Sequence, residues 1–416
     1  MKAVRRALGR PGARTGLARG LVAVGTRVGI TPYNWRLLRS TRRLTAVQRL
    51  PCPPWQSRPP RAVSSADVAL SERLIDAYSA ALGGQPAGEQ AEGMWRWIYD
   101  ERQRGLATIL ERRDAPGLAT ALAAMFRKTF VLGLAPGSLV RQAESPIGRR
   151  IWRVKTLDGL VSLAHAIGAA TVDGPEHARS AGPFAQGLQA LVEGIEARLG
   201  FSIDASDVGA PCGLAVGERV LTLDAPEQIY ASVRIQQAIE SHLSGRARSA
   251  PRIVEIGGGY GATCMWLMRG GCNAERYVIV DLPIVNVLQG YFLSQVLGRD
   301  QVSLFGEAPA RVVITPDRAV KTVPTPYDVL VNKDSMPEMP AAAVHAYLTW
   351  ARTTCDGIFF SCNQESAAPF RGEPQVVVSE AVATAGGFVR VRRDESWVRR
   401  GYVEEIYVPA PDEVAA

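Results

Sequence analysis

The sequence predicts an α/β protein. A Rossmann-like, doubly wound sheet closing on a C-terminal antiparallel hairpin is expected in the second half, preceded by a mainly helical part. Three observations carry this expectation. From residue 252 short apolar runs alternate with helix-like segments, the pattern of a parallel sheet built from βαβ units. The first run, RIVEI, leads into a glycine-rich bend, GGGYG, and then into a helix-like segment. Residues 63–245 place apolar residues at helical spacing, punctuated by Gly and Pro. With 416 residues the chain is long enough for two domains. They are expected at 63–245 and 246–416, behind a basic Pro/Gly-rich arm at 1–62.

The arm holds 14 of the 48 Lys and Arg and no Asp or Glu, so the rest carries 34 basic and 40 acidic residues. Arg19 and Arg27 flank LVAVG too closely for a secretory signal. Such an arm either makes peripheral contact with an anionic surface or lies on the acidic body of its own chain. No nucleic-acid-binding motif accompanies it. No run of about 18 apolar residues occurs, so a spanning helix is not expected. The cysteines (Cys52, Cys212, Cys264, Cys272, Cys355, Cys362) are scattered without a CxxC pair, and no histidine is paired with them at zinc-ligand spacing. Reduced, mostly buried thiols and a cytoplasmic location are expected.

SSADVALSERLIDAYSAAL reads as a helix with Ser64 and Ser65 as N-caps. EQAEGMWRWIYDERQRGLATILERR, PGLATALAAMFRKTFVLGL and TLDGLVSLAHAIGAA continue the helical pattern. An irregular piece, DVGAPCGLAVGERVLTLDAP, leads into a helix at EQIYASVRIQQAIESHL. SGRARSAPR then reads as a seam. The strand candidates that follow are RIVEI, RYVIVD, RVVIT, YDVLVN and GIFFSCN, with FVRVRR and EEIYVP as the closing hairpin.

Ligands of open α/β sheets sit beyond the carboxyl ends of the strands. Gly257, Gly258, Gly259, Tyr260 and Gly261 fall at the end of the first strand. Glu255 stands two positions before the first glycine. A carboxylate beside a pyrophosphate costs energy; beside a sulfonium or ammonium group it does not. The E-x-G-G-G-x-G pattern therefore favours S-adenosylmethionine over a dinucleotide. Asp281, at the end of RYVIVD, is placed to accept from ribose hydroxyls, which suits NAD(P) equally well. A nicotinamide-dependent oxidoreductase stays open as the lesser reading.

VEIGGGYGATCMWL, YVIVDLPIVNVLQGYFLSQ and YDVLVNKDSMPEM together resemble a bacterial sugar O-methyltransferase family of the class I, S-adenosylmethionine-dependent kind. The family pattern has a strand ending in EIGGGYG, an IDLP containing the Asp281 and Leu282 positions, and N-x-x-S-x-x-E-M, matched by Asn332, Ser335, Glu338 and Met339. Asn363 matches as well. DVGAPCG and the helix bearing Tyr230 and Arg234 resemble its G-N-P segment, with Ala210 in place of Asn. The resemblance covers about residues 200–408. It implies O-methylation of a sugar or polysaccharide hydroxyl, with S-adenosylmethionine as methyl donor. A looser likeness to actinobacterial methyltransferases of mannose-containing polysaccharides points to that acceptor. Methylation of a non-sugar natural-product hydroxyl is the alternative within the class, and a homodimer is compatible with either.

A sugar hydroxyl needs a base within hydrogen-bond reach. The segment NKDSMPEMP offers Asp334 and Glu338, and the following helix offers His345. Asp334 and Glu338 can alternatively hold a divalent cation such as Mg2+. The remaining expectations are Asp317 against an adenine amino group, and Asn332 beside the donor. Arg234 is expected on the donor's carboxylate, and Tyr230, Ser335 and Asn363 on the acceptor. A stacking surface is expected among Trp95, Trp97 and Tyr99, which cannot all share one helix face.

Overall fold

The computed structural model describes residues 37–41, 50, 53–84, 92–131, 134, 145–172, 187–245, 250–369 and 372–411. Most of the basic arm, Cys52 and the middle of the seam lie outside them.

The described part begins with a short strand, β1 (Trp55–Ser57), and a helix, α1 (Ser65–Leu82). Ser64 caps α1 through a reciprocal pair: its hydroxyl accepts from Asp67 N–H (3.2 Å), and the Asp67 carboxylate accepts from Ser64 N–H (2.9 Å). Gly83, at φ 55°, ends it. The long helix expected next is interrupted. α2 (Gly93–Ile98) widens into a π-turn at Tyr99–Gln103 before α3 (Arg104–Glu111). α4 (Ala115–Leu122) gives way to two 3₁₀ turns where the sequence promised a continuing helix. α5 (Pro146–Ala166) and α6 (Gly187–Leu199) follow.

The irregular piece is a hairpin, β2 (Cys212–Val216) and β3 (Arg219–Leu221), turned at Gly217 (φ 60°). β1 pairs antiparallel with β2, giving a three-stranded sheet inside a region expected to be helical. The runs are too short for periodicity to reveal them, and one strand comes from the expected arm. That end of the arm packs on the chain's own body. Trp55 meets Trp152 edge-on at 5.6 Å, and Arg58 bonds to Asp204 (2.7 Å) and to Asp207. Ala210 adopts φ 58° while fully buried, a conformation that asparagine tolerates better than alanine.

After α7 (Ala225–Leu243) come β4 (Arg252–Ile256), α8 (Ala262–Arg269), β5 (Arg276–Asp281) and α9 (Pro283–Leu297). Next are β6 (Val302–Ser303), β7 (Val312–Pro316), β8 (Tyr327–Lys333), α10 (Ala341–Thr354) and β9 (Cys355–Gln364). α11 (Val378–Ala385), β10 (Phe388–Glu395) and β11 (Tyr402–Pro409) complete the chain. The eight strands lie in the order β10-β11-β9-β8-β4-β5-β7-β6. β4 runs parallel to both β5 and β8, whereas β11 runs antiparallel to β9 and β10. The chain winds outward from β4 to one side and then returns to the other, so the topological switch point lies at the carboxyl end of β4.

Both faces of the parallel strands are covered, while the edge strand β10 is largely exposed. Ile253, Tyr277, Ile279, Val329, Val331 and Phe360 join the large core shared with the helical half. The alternating residues Val254, Ile256, Val278, Val280, Leu330 and Phe359 pack on Val344 and Leu348 of α10 and Val382 of α11. Burial on both sides explains why these strands read as continuous apolar runs. No helix among the described residues is long and apolar enough to cross a membrane.

Candidate functional site

At the carboxyl ends of β4, β5 and β8 the structure opens into a cavity of ≈ 320 Å³. The glycine bend forms its floor. Gly257 adopts φ 72°, and a Cβ there would lie 2.2 Å from Ser335 Oγ; one on Gly258 would lie 2.7 Å from Ile279 Cγ2. Contacts within the protein therefore require glycine at these two positions, before any ligand is considered. Gly259 lies at the cavity wall, where an added Cβ would meet only open space and Leu134 O at 3.8 Å.

Among the described residues six carboxylates line the cavity, from Glu92, Glu255, Asp281, Asp317, Asp334 and Glu338, against one cation, Lys333. Glu255 is buried under the bend, and its Oε2 accepts from Tyr277 OH at 2.9 Å. Burial pushes its carboxyl up to about 6 despite that bond. Asp281 accepts from Leu282 N–H and from Gln289 Nε2, both at 2.8 Å, and burial raises it to about 7. Each of its oxygens keeps a lone pair for a further donor. Gln289 also donates to Gly259 O (2.9 Å), tying the β5 carboxylate to the bend. Asp317 is raised by burial too, and its Oδ1 is a buried acceptor with no hydrogen-bond partner. Glu338 is pushed up to about 8, first by burial and then by the charge of Asp334, with Arg399 opposing.

Asp334 adopts φ 59°, held by its N–H donating to Asn363 Oδ1 at 2.9 Å and to Cys362 O at 3.1 Å. Its carboxylate receives Arg399 and the hydroxyl of Tyr402, and the guanidinium lies 3.7 Å from the Tyr402 ring centre. Both Asp334 oxygens are therefore already bonded, which leaves Glu338 the freer of the two carboxylates expected as base or metal ligand. Among the described residues no group of three His, Cys, Asp or Glu is placed to hold a metal ion.

Other expectations are also corrected. His345 is exposed on α10, whereas Ala343 and Tyr347 of that helix line the cavity. Asn332 is fully buried outside the lining. Its Nδ2 donates to Ile256 O (3.0 Å) and Ser335 Oγ (2.6 Å), and its Oδ1 accepts from Asn363 Nδ2 (3.0 Å). Ser335 reaches the wall, but its hydroxyl donates to Ile256 O at 3.0 Å. Asn332, Ser335 and Asn363 thus tie the ends of β4, β8 and β9 together through bonds to the backbone and to one another. Neither Tyr230 nor Arg234 is in the cavity lining; Arg234 bonds to Glu404 (2.7 Å) and Asp394 (3.2 Å). Tyr260 presents its ring to the cavity but sends its hydroxyl to Asp224 (2.7 Å). Of the three aromatic residues in α2 and its π-turn, Trp95 lines the cavity, Tyr99 is in the core, and Trp97 lies under Arg102.

Sequence reasoning did not single out Lys333, Gln289, Gln228, Thr263 or Tyr347. Lys333 stands inside the highlighted NKDSMPEMP, and strand alternation places it on the face that carries Glu255. The others show no signal until α7, α8, α9 and α10 are docked on the sheet.

The strand order is that of the class I methyltransferase fold, with the last strand, β11, inserted antiparallel between β9 and β10. No family model matches the chain, and no curated protein does. Among solved structures it is similar to the mitomycin 7-O-methyltransferase MmcR (16% identity, covering 83% of this chain and 96% of that one, TM-score 0.33). It is also similar to magnesium protoporphyrin IX methyltransferase, ChlM, from Synechocystis PCC 6803 with bound SAM (13% identity, 44% and 83% covered, TM-score 0.32). A third is LaPhzM (18% identity, 45% and 59% covered, TM-score 0.29). Likeness at these scores adds nothing to the fold, which rests on the strand order.

Proposed function

We propose that the chain is an S-adenosylmethionine-dependent O-methyltransferase acting on a hydroxyl of a sugar or polysaccharide. One observation carries the reading: a cavity lined, among the described residues, by carboxylates and a single ammonium group, set at the switch point over a side-chain-poor bend. A pyrophosphate brought among these acidic groups is electrostatically disfavoured and raises their proton affinity further, whereas a sulfonium with an α-ammonium group favours their ionised forms. The donor set fits that group. Asp281 retains lone pairs for two ribose hydroxyls, and the orphaned Asp317 Oδ1 suits an adenine amino group. Glu255, Gly257, Gly258, Gly259, Leu282 and the Tyr260 ring would complete the holding surface.

When bound, the sulfonium supplies the methyl group and leaves as a neutral thioether. The chain's own task is to align the acceptor and remove its proton. Glu338 is the base in this reading, because its carboxylate faces the cavity and Asp334 is committed to Arg399 and Tyr402. Arg399 holds Asp334 where its charge keeps Glu338 basic. Trp95 gives the acceptor a flat apolar face suited to a pyranose ring. The helical part 63–245 serves as the acceptor-side domain, and 246–416 as the donor-side domain.

Calorimetric titration with adenosylmethionine and adenosylhomocysteine tests the donor half, with micromolar binding expected and no binding of NAD(P)H. Tritiated methyl transfer onto defined oligosaccharides, mannose-containing ones included, tests the acceptor half. Transfer to apolar phenolic acceptors alone would replace the sugar by a natural-product hydroxyl.

A further inference from the structure

A second, smaller recess of ≈ 10 Å³ adjoins the cavity, and Lys333 lines both. Glu227, Tyr230, Arg399, Tyr402 and Glu404 form much of its wall. The volume suits a single oxygen with its hydrogens, a water or a hydroxyl. Two groups of opposite sign stand open there. Glu404 is 3% exposed and spends one oxygen on Arg234 (2.7 Å), whereas its Oε1 is a buried acceptor without a hydrogen-bond partner among the described residues. The half-buried Lys333 ammonium makes no hydrogen bond or ion pair with the described residues. A hydroxyl can serve both, donating to the carboxylate and accepting from the ammonium. An orphaned buried acceptor costs free energy that such a donor recovers. Beside the recess, the turn from β10 to β11 holds Trp397 40% exposed on a fixed mount. Trp397 N–H donates to Tyr230 OH (3.4 Å), Ser396 N–H donates to Tyr402 O (2.9 Å), and Val398 is fully buried. Ser396 and Arg399 of this turn line the recess, and Arg399 also bonds to Asp334 of the cavity wall. Tyr402 pairs with Gln364, the last residue of β9, so the turn sits at the same edge of the sheet as the cavity. β11 is two strands from β8, about 10 Å. An indole held out by a fixed turn offers a flat apolar face at low entropic cost.

We propose that the recess and the indole form a second acceptor subsite, which takes the sugar residue next to the one that is methylated. A hydroxyl of that residue enters the recess against Glu404 Oε1 and the Lys333 ammonium, and its ring lies on Trp397. The inference rests on the carbohydrate reading above and makes the substrate a chain of sugars rather than a single one.

The test compares a short with a long acceptor. Tritiated methyl transfer from adenosylmethionine is measured on methyl α-mannoside and on mannotetraose, for wild type, Trp397→Ala and Glu404→Gln. Calorimetric titration with adenosylhomocysteine shows that each variant is folded. Wild type is expected to prefer the tetrasaccharide at least about tenfold in kcat/KM. Both variants are expected to lose most of that preference while binding adenosylhomocysteine like wild type. A wild type that does not prefer the longer acceptor overturns the inference. So does full preference in either folded variant, which would leave the recess to an ordered water. A wild type that binds adenosylhomocysteine but methylates neither saccharide removes the carbohydrate reading itself.

Discussion

Asn363 Nδ2 donates to Asn332 Oδ1 at 3.0 Å, joining two buried amides on neighbouring strands β8 and β9. Through Asn332 the bond continues to Ser335 Oγ and Ile256 O, and through Asn363 Oδ1 to Asp334 N–H. Four loop-end positions are thereby set by side chains bonded to the backbone and to one another. The N-x-x-S motif is a brace: it holds the bend against the segment that carries Asp334 and Glu338.

Asn332→Ala should leave the Asn363 amide and part of the Ser335–Ile256 cluster unpaired in a dry interior. Each stranded group costs about 1–3 kcal/mol, so a fall in melting temperature of roughly 3–8 °C is expected. Thermal melts followed by circular dichroism check this; an unchanged midpoint would return Asn332 to the ligand.

Glu338→Gln should lower turnover by about 10²–10⁴-fold with donor affinity nearly unchanged, the usual range for loss of a positioned base. In the wild type kcat/KM should rise with pH and level off above about 8, where the carboxylate is free. The glutamine variant should lose that limb. Steady-state rates between pH 6 and 9.5 separate the two.

The same substitution has a stability signature of opposite sense. Glu338 is raised from an ordinary 4.5 to about 8, so the folded chain binds its proton more tightly than the unfolded chain between those values. Stability contributed by the protonated form is present below 4.5 and is lost as pH rises to 8. Glutamine cannot ionise. Glu338→Gln should melt close to wild type at pH 4.5 and about 2–4 °C higher at pH 8.5, by scanning calorimetry without ligand.

Asp281→Ala should cut adenosylhomocysteine affinity about 100-fold or more, since two hydrogen bonds to a charged acceptor are lost together. Gln289 then loses a partner, so the variant should also be slightly less stable. Tight donor binding by Asp281→Ala, read by calorimetry, would remove the ribose role.

The sheet was legible because burial on both faces leaves unbroken apolar runs, and RIVEI and RYVIVD match β4 and β5 residue for residue. The helical half was less so. The π-turn at Tyr99–Gln103 and the β1–β2–β3 sheet depend on contacts that no local period encodes. Within the cavity, Glu255, Asp281, Asp317 and Glu338 were visible from their positions at strand ends. Polar residues of the brace looked the same in one dimension as residues that meet a ligand. Only their partners, Ile256 O and one another, distinguish them, and apart from the Asn332–Ser335 bond those partners lie 29 to 79 positions away.

The strand at Trp55–Ser57 sets a practical boundary for anyone redesigning the N-terminus. Shortening the chain to residue 63 would strip an outer strand from Cys212–Val216, leave Trp152 without its edge-on neighbour and strand Asp204 without Arg58. Shortening to residue 50 would spare all three contacts while removing most of the arginines. The arm's charge can therefore be assayed separately from its anchoring only if the cut falls upstream of that strand.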